Sequence, residues 1–128
     1  MTKNTFYIAI GALFGLLAVI CGAFGAHALK AVLTERGTLE VWKTAVDYQM
    51  WHALALLLGV ALSKDGKLSP IPGYSFILGI LLFSGSLYWL ALGGPAWLGP
   101  ITPLGGLLLM IGWGSMGVSV WRSGRRDE

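Results

Sequence analysis

Four long apolar stretches, separated by short polar segments, make up most of the chain. They cover approximately residues 6–29, 39–63, 73–92 and 103–121. Each is long enough to cross a bilayer as an α-helix, which takes about 20 residues. The pattern therefore predicts one domain over residues 1–128, an all-α integral membrane four-helix bundle.

Helix-breaking and charged residues separate the predicted helices. Residues 30–37 are predicted to be a short polar connection, and 63–72 a turn whose two prolines suit the start of the next helix. Thr102 and Pro103 are a typical N-cap and N1 pair for the fourth helix. Ala26-His27-Ala28 is similar to a signal-peptide cleavage site. The apolar run before it exceeds the roughly 7–15 residues of a signal peptide, which favours a transmembrane helix.

Composition excludes a soluble globular domain. Hydrophobic residues make up 55% of the chain and charged residues 12%, and a globule of this size could not bury so much apolar surface. The net charge of +3 comes from nine Lys and Arg that lie in loops and at the termini. Because they form no basic stripe with interleaved aromatic residues, nucleic acid is not an expected partner.

The distribution of Lys and Arg predicts the orientation. Six lie on the side that holds both termini and the second loop, namely Lys3, Lys64, Lys67, Arg122, Arg125 and Arg126. Three lie on the other side, namely Lys30, Arg36 and Lys43. Both termini are therefore expected in the cytoplasm (N-in/C-in).

Several motifs spread over the chain resemble a known family. They are GAFGAHALK at 22–30, the segment from Trp42 through Tyr48-Gln49 to His52-Ala53-Leu54, LFSGSLY at 82–88 and ITPLGG at 101–106. Together they are similar to the YgdD-like family of small bacterial inner-membrane proteins, a domain of unknown function. The resemblance implies four helices in the inner (plasma) membrane. It implies no activity, cofactor or catalytic residue.

Polar chemistry is concentrated on one face of the second helix. Gln49, His52, Ala55 and Gly59 follow steps of three, three and four, so they share a face, whereas Leu54 lies with Leu58 on a face suited to lipid. At 1.5 Å per residue, His52 is expected roughly 10–13 Å inside the hydrocarbon. Ser84 and Ser86 on the third helix fall at about that depth.

Two interpretations of His52 remain open. The structural one has a neutral imidazole hydrogen-bonded to Ser84, Ser86 or a backbone carbonyl, joining two helices. The functional one has an ionisable group lining a ligand or proton path. The predicted polar set of the outer half, for packing or for holding a lipid or small apolar ligand, is His27, Gln49, His52, Ser84 and Ser86.

Three residues at the start of the second helix are predicted to be interfacial: Trp42, Asp47 and Tyr48. Trp42 or Trp51 is expected in the aromatic belt. Asp47 is expected to pair with Lys43, or with Lys30 or Arg36 across the loop.

Small residues form two seams that predict close helix packing. The first is Gly11, Gly15, Ala18, Gly22 and Gly25, and the second is Gly105, Gly112, Ser115 and Ser119. Because the seams exceed the need of four short helices, a homo-oligomer is one expectation.

No catalytic motif occurs, so we predict a non-enzyme without cofactor or metal, surrounded by membrane lipids. His27 and His52 would differ by roughly 10 Å in depth, too far apart for a shared metal. The alternative function is a minimal transporter or proton-linked channel subunit in which His52 titrates. A lipid-modifying enzyme is disfavoured, because no nucleophile has a matched base.

Overall fold

The computed structural model describes residues 2–63 and 67–126, and its regular structure there is entirely helical. The α-helices are α1 (Lys3–Ala26), α2 (Lys30–Arg36), α3 (Leu39–Leu62), α4 (Pro70–Ala91) and α5 (Ile101–Arg126), with a 3-10 turn at Ala96–Leu98. Four segments are long and apolar enough to cross a membrane: α1, α3, α4 and the one that contains α5. The all-α prediction with four candidate spans is confirmed.

The first connection differs from the prediction, because it forms the short helix α2. Leu33 of α2 is fully buried against Trp42 and Ala91, which anchors the helix on the end of α3 and α4. The helix ends at Arg36, and its C-cap Gly37 has a φ of 69°, the left-handed conformation typical of a helix C-terminus. An apolar anchor on one face of a polar segment thus gives a helix where composition alone indicates a loop.

Helix ends also differ from the predicted bounds. α4 begins at Pro70 rather than at 73, because a proline in the first turn lacks only an N–H that would have no helical partner. α5 begins at Ile101, so Thr102 lies inside the first turn and does not cap it. α5 continues to Arg126, beyond the predicted end at 121.

The long helices pack in the order α1, α3, α4, α5. α3 packs against α1 and α4, and α4 packs against α5, whereas α1 and α5 form no comparable interface. In each of the inner helices α3 and α4, 44% of the residues in the most apolar stretch are buried. The corresponding share is 22% for α1 and 17% for the α5 segment. We call this order of interfaces the row. Side chains also connect helices that are not adjacent in it, since Tyr7 of α1 packs on Gly73 of α4 and Trp113 of α5 bonds His52 of α3.

Glycines set the close approach of α4 and α5. A Cβ atom at Gly105 would overlap the backbone nitrogen of Phe83, so the two backbones meet there. A Cβ atom at Gly112 would lie 2.6 Å from the Phe76 ring. The second predicted seam is thus used between α4 and α5 at these two positions.

The first seam packs mainly on α3. Leu57, Val46 and Trp42 of α3 cover Gly11, Gly22 and Gly25, in that order. A Cβ atom at Gly15 would meet nothing within 4 Å in the described part of the chain. Most of this seam is therefore occupied within one molecule.

Candidate functional site

Gln49 joins three helices from the middle of α3. Its side chain is 4% exposed. Nε2 donates to the Phe14 carbonyl of α1 at 2.8 Å, and Oε1 accepts from the Tyr88 hydroxyl of α4 at 2.7 Å. Both ends of the amide are thus used by the protein, one by α1 and the other by α4.

His52 lies one turn further along α3 and is 5% exposed. Nδ1 lies 2.7 Å from the Tyr48 carbonyl oxygen, and Nε2 lies 3.0 Å from the indole Nε1 of Trp113 on α5. Because an indole N–H can only donate, Nε2 must accept and Nδ1 must carry the proton. These two partners select one neutral tautomer of the imidazole.

Aromatic rings surround the His52 imidazole. The ring centroids of Tyr48, Phe76 and Trp113 each lie 5.9 Å from it. Trp113 is itself 47% exposed, whereas His52 is buried. The indole that bonds Nε2 of His52 is therefore partly on the surface of the protein.

Ser84 and Ser86 form hydrogen bonds with residues other than His52. The Ser84 hydroxyl donates to the Ala45 carbonyl of α3 at 2.7 Å. Ser86 Oγ lies 2.6 Å from Thr102 Oγ1 of α5, and it also donates to the Phe83 carbonyl at 3.0 Å. Of the three partners expected for His52, the structure has the backbone carbonyl and neither serine.

These contacts define what we call the polar cluster. Its members are Gln49, His52, Ser84 and Ser86 together with their side-chain partners Tyr88, Thr102 and Trp113. The hydrogen bonds of the cluster cross every interface of the row. His27, at the C-cap of α1, is exposed and lies outside the cluster.

The residues predicted to be interfacial have different surroundings. Trp42 is 6% exposed and donates from Nε1 to the Cys21 carbonyl at 2.8 Å, so it faces α1 instead of the outward direction of a belt residue. Trp51 does face outward, at 54% exposed. Tyr48 is partly buried, with its ring centroid 4.5 Å from that of Phe83.

Asp47 is exposed and does not form the expected pair with Lys43. Lys43 Nζ instead lies 3.4 Å from Glu40 Oε1, and this is the ion pair found within residues 2–63 and 67–126. Both side chains are well exposed, so the pair contributes little, about 0.3–0.5 kcal/mol at most.

Sequence reasoning missed Tyr88, Thr102 and Trp113 as members of the cluster. A signal was present for the two aromatic residues. A phenol or an indole that lies within a span needs a hydrogen-bond partner, which makes Tyr88 and Trp113 natural partners for Gln49 and His52. Across residues 2–63 and 67–126, no three His, Cys, Asp or Glu side chains converge as metal ligands.

Comparison with known proteins gives the family. A family model described as "Protein of unknown function (DUF423)" matches residues 21–106. The chain belongs to the DUF423 family. The matched range holds Gln49, His52, Ser84 and Ser86, whereas Trp113 follows it.

Several membrane proteins are similar to this DUF423 chain over most of its length. A UPF0382 membrane protein of Staphylococcus haemolyticus is 41% identical over 91% of this chain and 95% of its own length. The UPF0382 membrane protein YwdK of Bacillus subtilis is 47% identical over 84% and 89%. One of Schizosaccharomyces pombe is 39% identical over 84% and 94%. No solved structure matches the chain.

The comparisons confirm a membrane protein family of unknown function. The narrower resemblance to YgdD-like proteins stays a prediction.

Proposed function

We propose that this protein is a non-catalytic integral protein of the inner (plasma) membrane whose polar cluster fixes how its four spans pack. Gln49 carries the proposal, since its one amide bonds α1 and α4 at once. Hydrogen bonds between transmembrane helices contribute about 0.6 kcal/mol each on average, and up to about 1.7. The hydrogen bonds also fix the positions of the helices relative to one another, because each bond forms at only one rotation and depth of the helices.

The bonding state of the cluster favours packing over ligand binding. The imidazole and amide already have protein partners on both of their polar ends, and Ser84 donates its single hydroxyl proton to a carbonyl. Two cavities of about 210 and 420 Å³ lie elsewhere, and none of the cluster residues lines them. A lipid or small apolar ligand at the cluster would therefore have to displace bonds that the protein makes with itself.

Orientation and partners belong to the same proposal. The count of six Lys and Arg against three supports both termini in the cytoplasm. Membrane lipids are the expected neighbours of exposed apolar residues such as Leu54 and Leu58. A homo-oligomer would use the outward faces of α1 and α5, where a Cβ atom at Gly15 or Gly114 meets nothing within 4 Å in the described chain.

Labelling of single cysteines in vesicles tests the orientation. In a Cys21→Ser background, Ser69→Cys and Ser123→Cys should react with an impermeant maleimide from the cytoplasmic side. Thr34→Cys should react from the opposite side. Reaction of Ser69→Cys and Ser123→Cys from opposite sides would contradict the arrangement of four spans.

A second function, a proton-linked transporter or channel subunit, is favoured by one observation. Trp113, the hydrogen-bond partner of Nε2 of the buried His52, is half exposed. Rotation of this indole would free Nε2. Protonation of Nε2 would in turn break the bond, because two N–H groups would then face each other.

Proton flux into proteoliposomes separates the two functions. The packing proposal expects wild-type protein and His52→Leu to leave flux at the level of protein-free vesicles. It also expects His52→Leu to be less stable by about 1–2 kcal/mol, because the Trp113 indole loses its acceptor. Flux that wild-type protein supports and His52→Leu abolishes would establish the transporter instead.

A further inference from the structure

A cavity of about 420 Å³ lies at the opposite end of α3 from α2, where α3 ends, α4 begins and α5 runs towards its C-terminus. Its volume falls within the roughly 300–1,000 Å³ of ligand pockets. Gly59 on its wall is two turns beyond His52, about 10 Å along the axis. The cavity is therefore separate from the polar cluster.

The cavity wall combines apolar and polar side chains. Leu62, Leu68, Met116 and Val120 supply hydrocarbon. The polar side chains are Lys67 and four serines, Ser63, Ser69, Ser119 and Ser123. Such a wall suits a molecule with an apolar chain and a polar head.

The position of the cations indicates the charge of that head. Ser119 and Ser123 are four residues apart on α5, and Arg126 follows three residues later, so all three share one face of the helix. Arg126 thus continues the polar part of the wall beyond Ser123. Lys67 flanks the cavity from the segment that precedes α4.

By sequence, the whole net charge belongs to the start of α1, the segment between α3 and α4 and the C-terminal end of the chain, which together we call the basic end. Counted along the sequence, it has six Lys and Arg and three acidic residues, Asp65, Asp127 and Glu128, which gives +3. The other end has three Lys and Arg and three acidic residues, Glu35, Glu40 and Asp47, which gives zero. An anion is therefore attracted to the basic end and not to the other.

We propose that this cavity binds an anionic phospholipid, with one acyl chain on the apolar wall and the phosphate between Lys67 and Arg126. Ser63 and Ser119 donate to the carbonyls of Val60 and Ser115 at 2.8 and 2.9 Å, so the phosphate and glycerol oxygens would take their hydroxyl donors from Ser69 and Ser123. A lipid fits better than a soluble anion because the wall is largely apolar and the cavity lies at the ends of three spans, at headgroup level. The inference depends neither on the role of the polar cluster nor on which leaflet the basic end faces.

Native mass spectrometry of the full chain in mild detergent tests the site, with phosphatidylglycerol and phosphatidylcholine of identical acyl chains as probes. Wild-type protein should retain phosphatidylglycerol at about tenfold lower lipid concentration than phosphatidylcholine, since the two cations attract a headgroup of net negative charge, whereas the choline cation makes the other headgroup neutral. Lys67→Gln and Arg126→Gln should each weaken phosphatidylglycerol about fivefold and leave phosphatidylcholine unchanged. Ser119→Phe, which fills the cavity, should weaken both lipids.

Lys30→Gln is the matched control, since it removes one exposed cation at the other end and should leave both lipids unchanged. Equal retention of the two lipids by wild-type protein would overturn the proposal. An effect of Lys30→Gln as large as that of Lys67→Gln would also overturn it, because only the overall charge would then matter. If circular dichroism shows that Ser119→Phe does not fold, Lys67→Gln and Arg126→Gln alone test the proposal. Both residues are exposed, so these two variants are expected to fold.

Discussion

Replacing Gln49 by leucine tests whether the polar cluster stabilises the row of helices. The change keeps an apolar side chain of similar size at a position that is 4% exposed and removes two hydrogen bonds. The Phe14 carbonyl loses its second donor but can keep the bond that a helix carbonyl accepts from four residues on. The Tyr88 hydroxyl loses its acceptor altogether.

The expected loss follows from these bonds. Two transmembrane hydrogen bonds of about 0.6 kcal/mol each give roughly 1.2 kcal/mol. An orphaned phenol adds about 1 kcal/mol, at the low end of the penalty for an unpaired buried group. Gln49→Leu should therefore lower the free energy of unfolding by about 2 kcal/mol.

A double-mutant cycle isolates the bond between the two side chains. Unfolding in mixed micelles with increasing SDS, followed by circular dichroism, gives the free energies for Gln49→Leu, Tyr88→Phe and the double variant. The double variant should be no less stable than Gln49→Leu, because removal of the phenol also removes the orphaned group. Leu54→Ala, on the exposed face of α3, serves as the control and should be nearly neutral.

Additive losses in this cycle would refute the bond as a stabilising contact. A Gln49→Leu variant as stable as wild type would refute the role of the cluster in packing.

Three further changes test contacts of the row by the same unfolding measurement. Trp42→Phe removes the indole bond to α1 and should cost about 1 kcal/mol, whereas Trp51→Phe on the outer face should cost less than half of that. Gly105→Ala forces α4 and α5 apart and should cost about 1–3 kcal/mol, whereas Gly114→Ala, which meets open space, should be neutral or stabilising by up to about 1 kcal/mol. Tyr7→Phe deletes a buried hydroxyl that has no partner in the described chain, so the variant should be at least as stable as wild type; a loss above about 1 kcal/mol would show that the hydroxyl is bonded.

Periodicity predicted which faces of α3 are buried. Gln49 and His52 are buried on the shared face, and Leu54 and Leu58 are exposed on the other, as a repeat of 3.6 residues requires. A repeat gives the direction of a side chain relative to its own helix. It does not give the residue that the side chain contacts, because that residue depends on the order and rotation of the other helices.

The partners of the cluster show this limit. Depth arithmetic placed Ser84 and Ser86 level with His52, but Ser84 bonds the Ala45 carbonyl and Ser86 bonds Thr102. Trp113 reaches His52 from α5, even though the chief neighbour of α5 is α4. Only the three-dimensional arrangement of the row could supply that pairing.

The order of the row has a consequence for biosynthesis. The interfaces form between spans that follow each other along the chain, α1 with α3, α3 with α4 and α4 with α5. Each span after α1 therefore finds a packing partner already inserted when it leaves the ribosome, and no later span has to enter between two that are already packed. Assembly can proceed by lateral addition at one growing edge, so a nascent chain halted after α4 should already hold three spans in their final register.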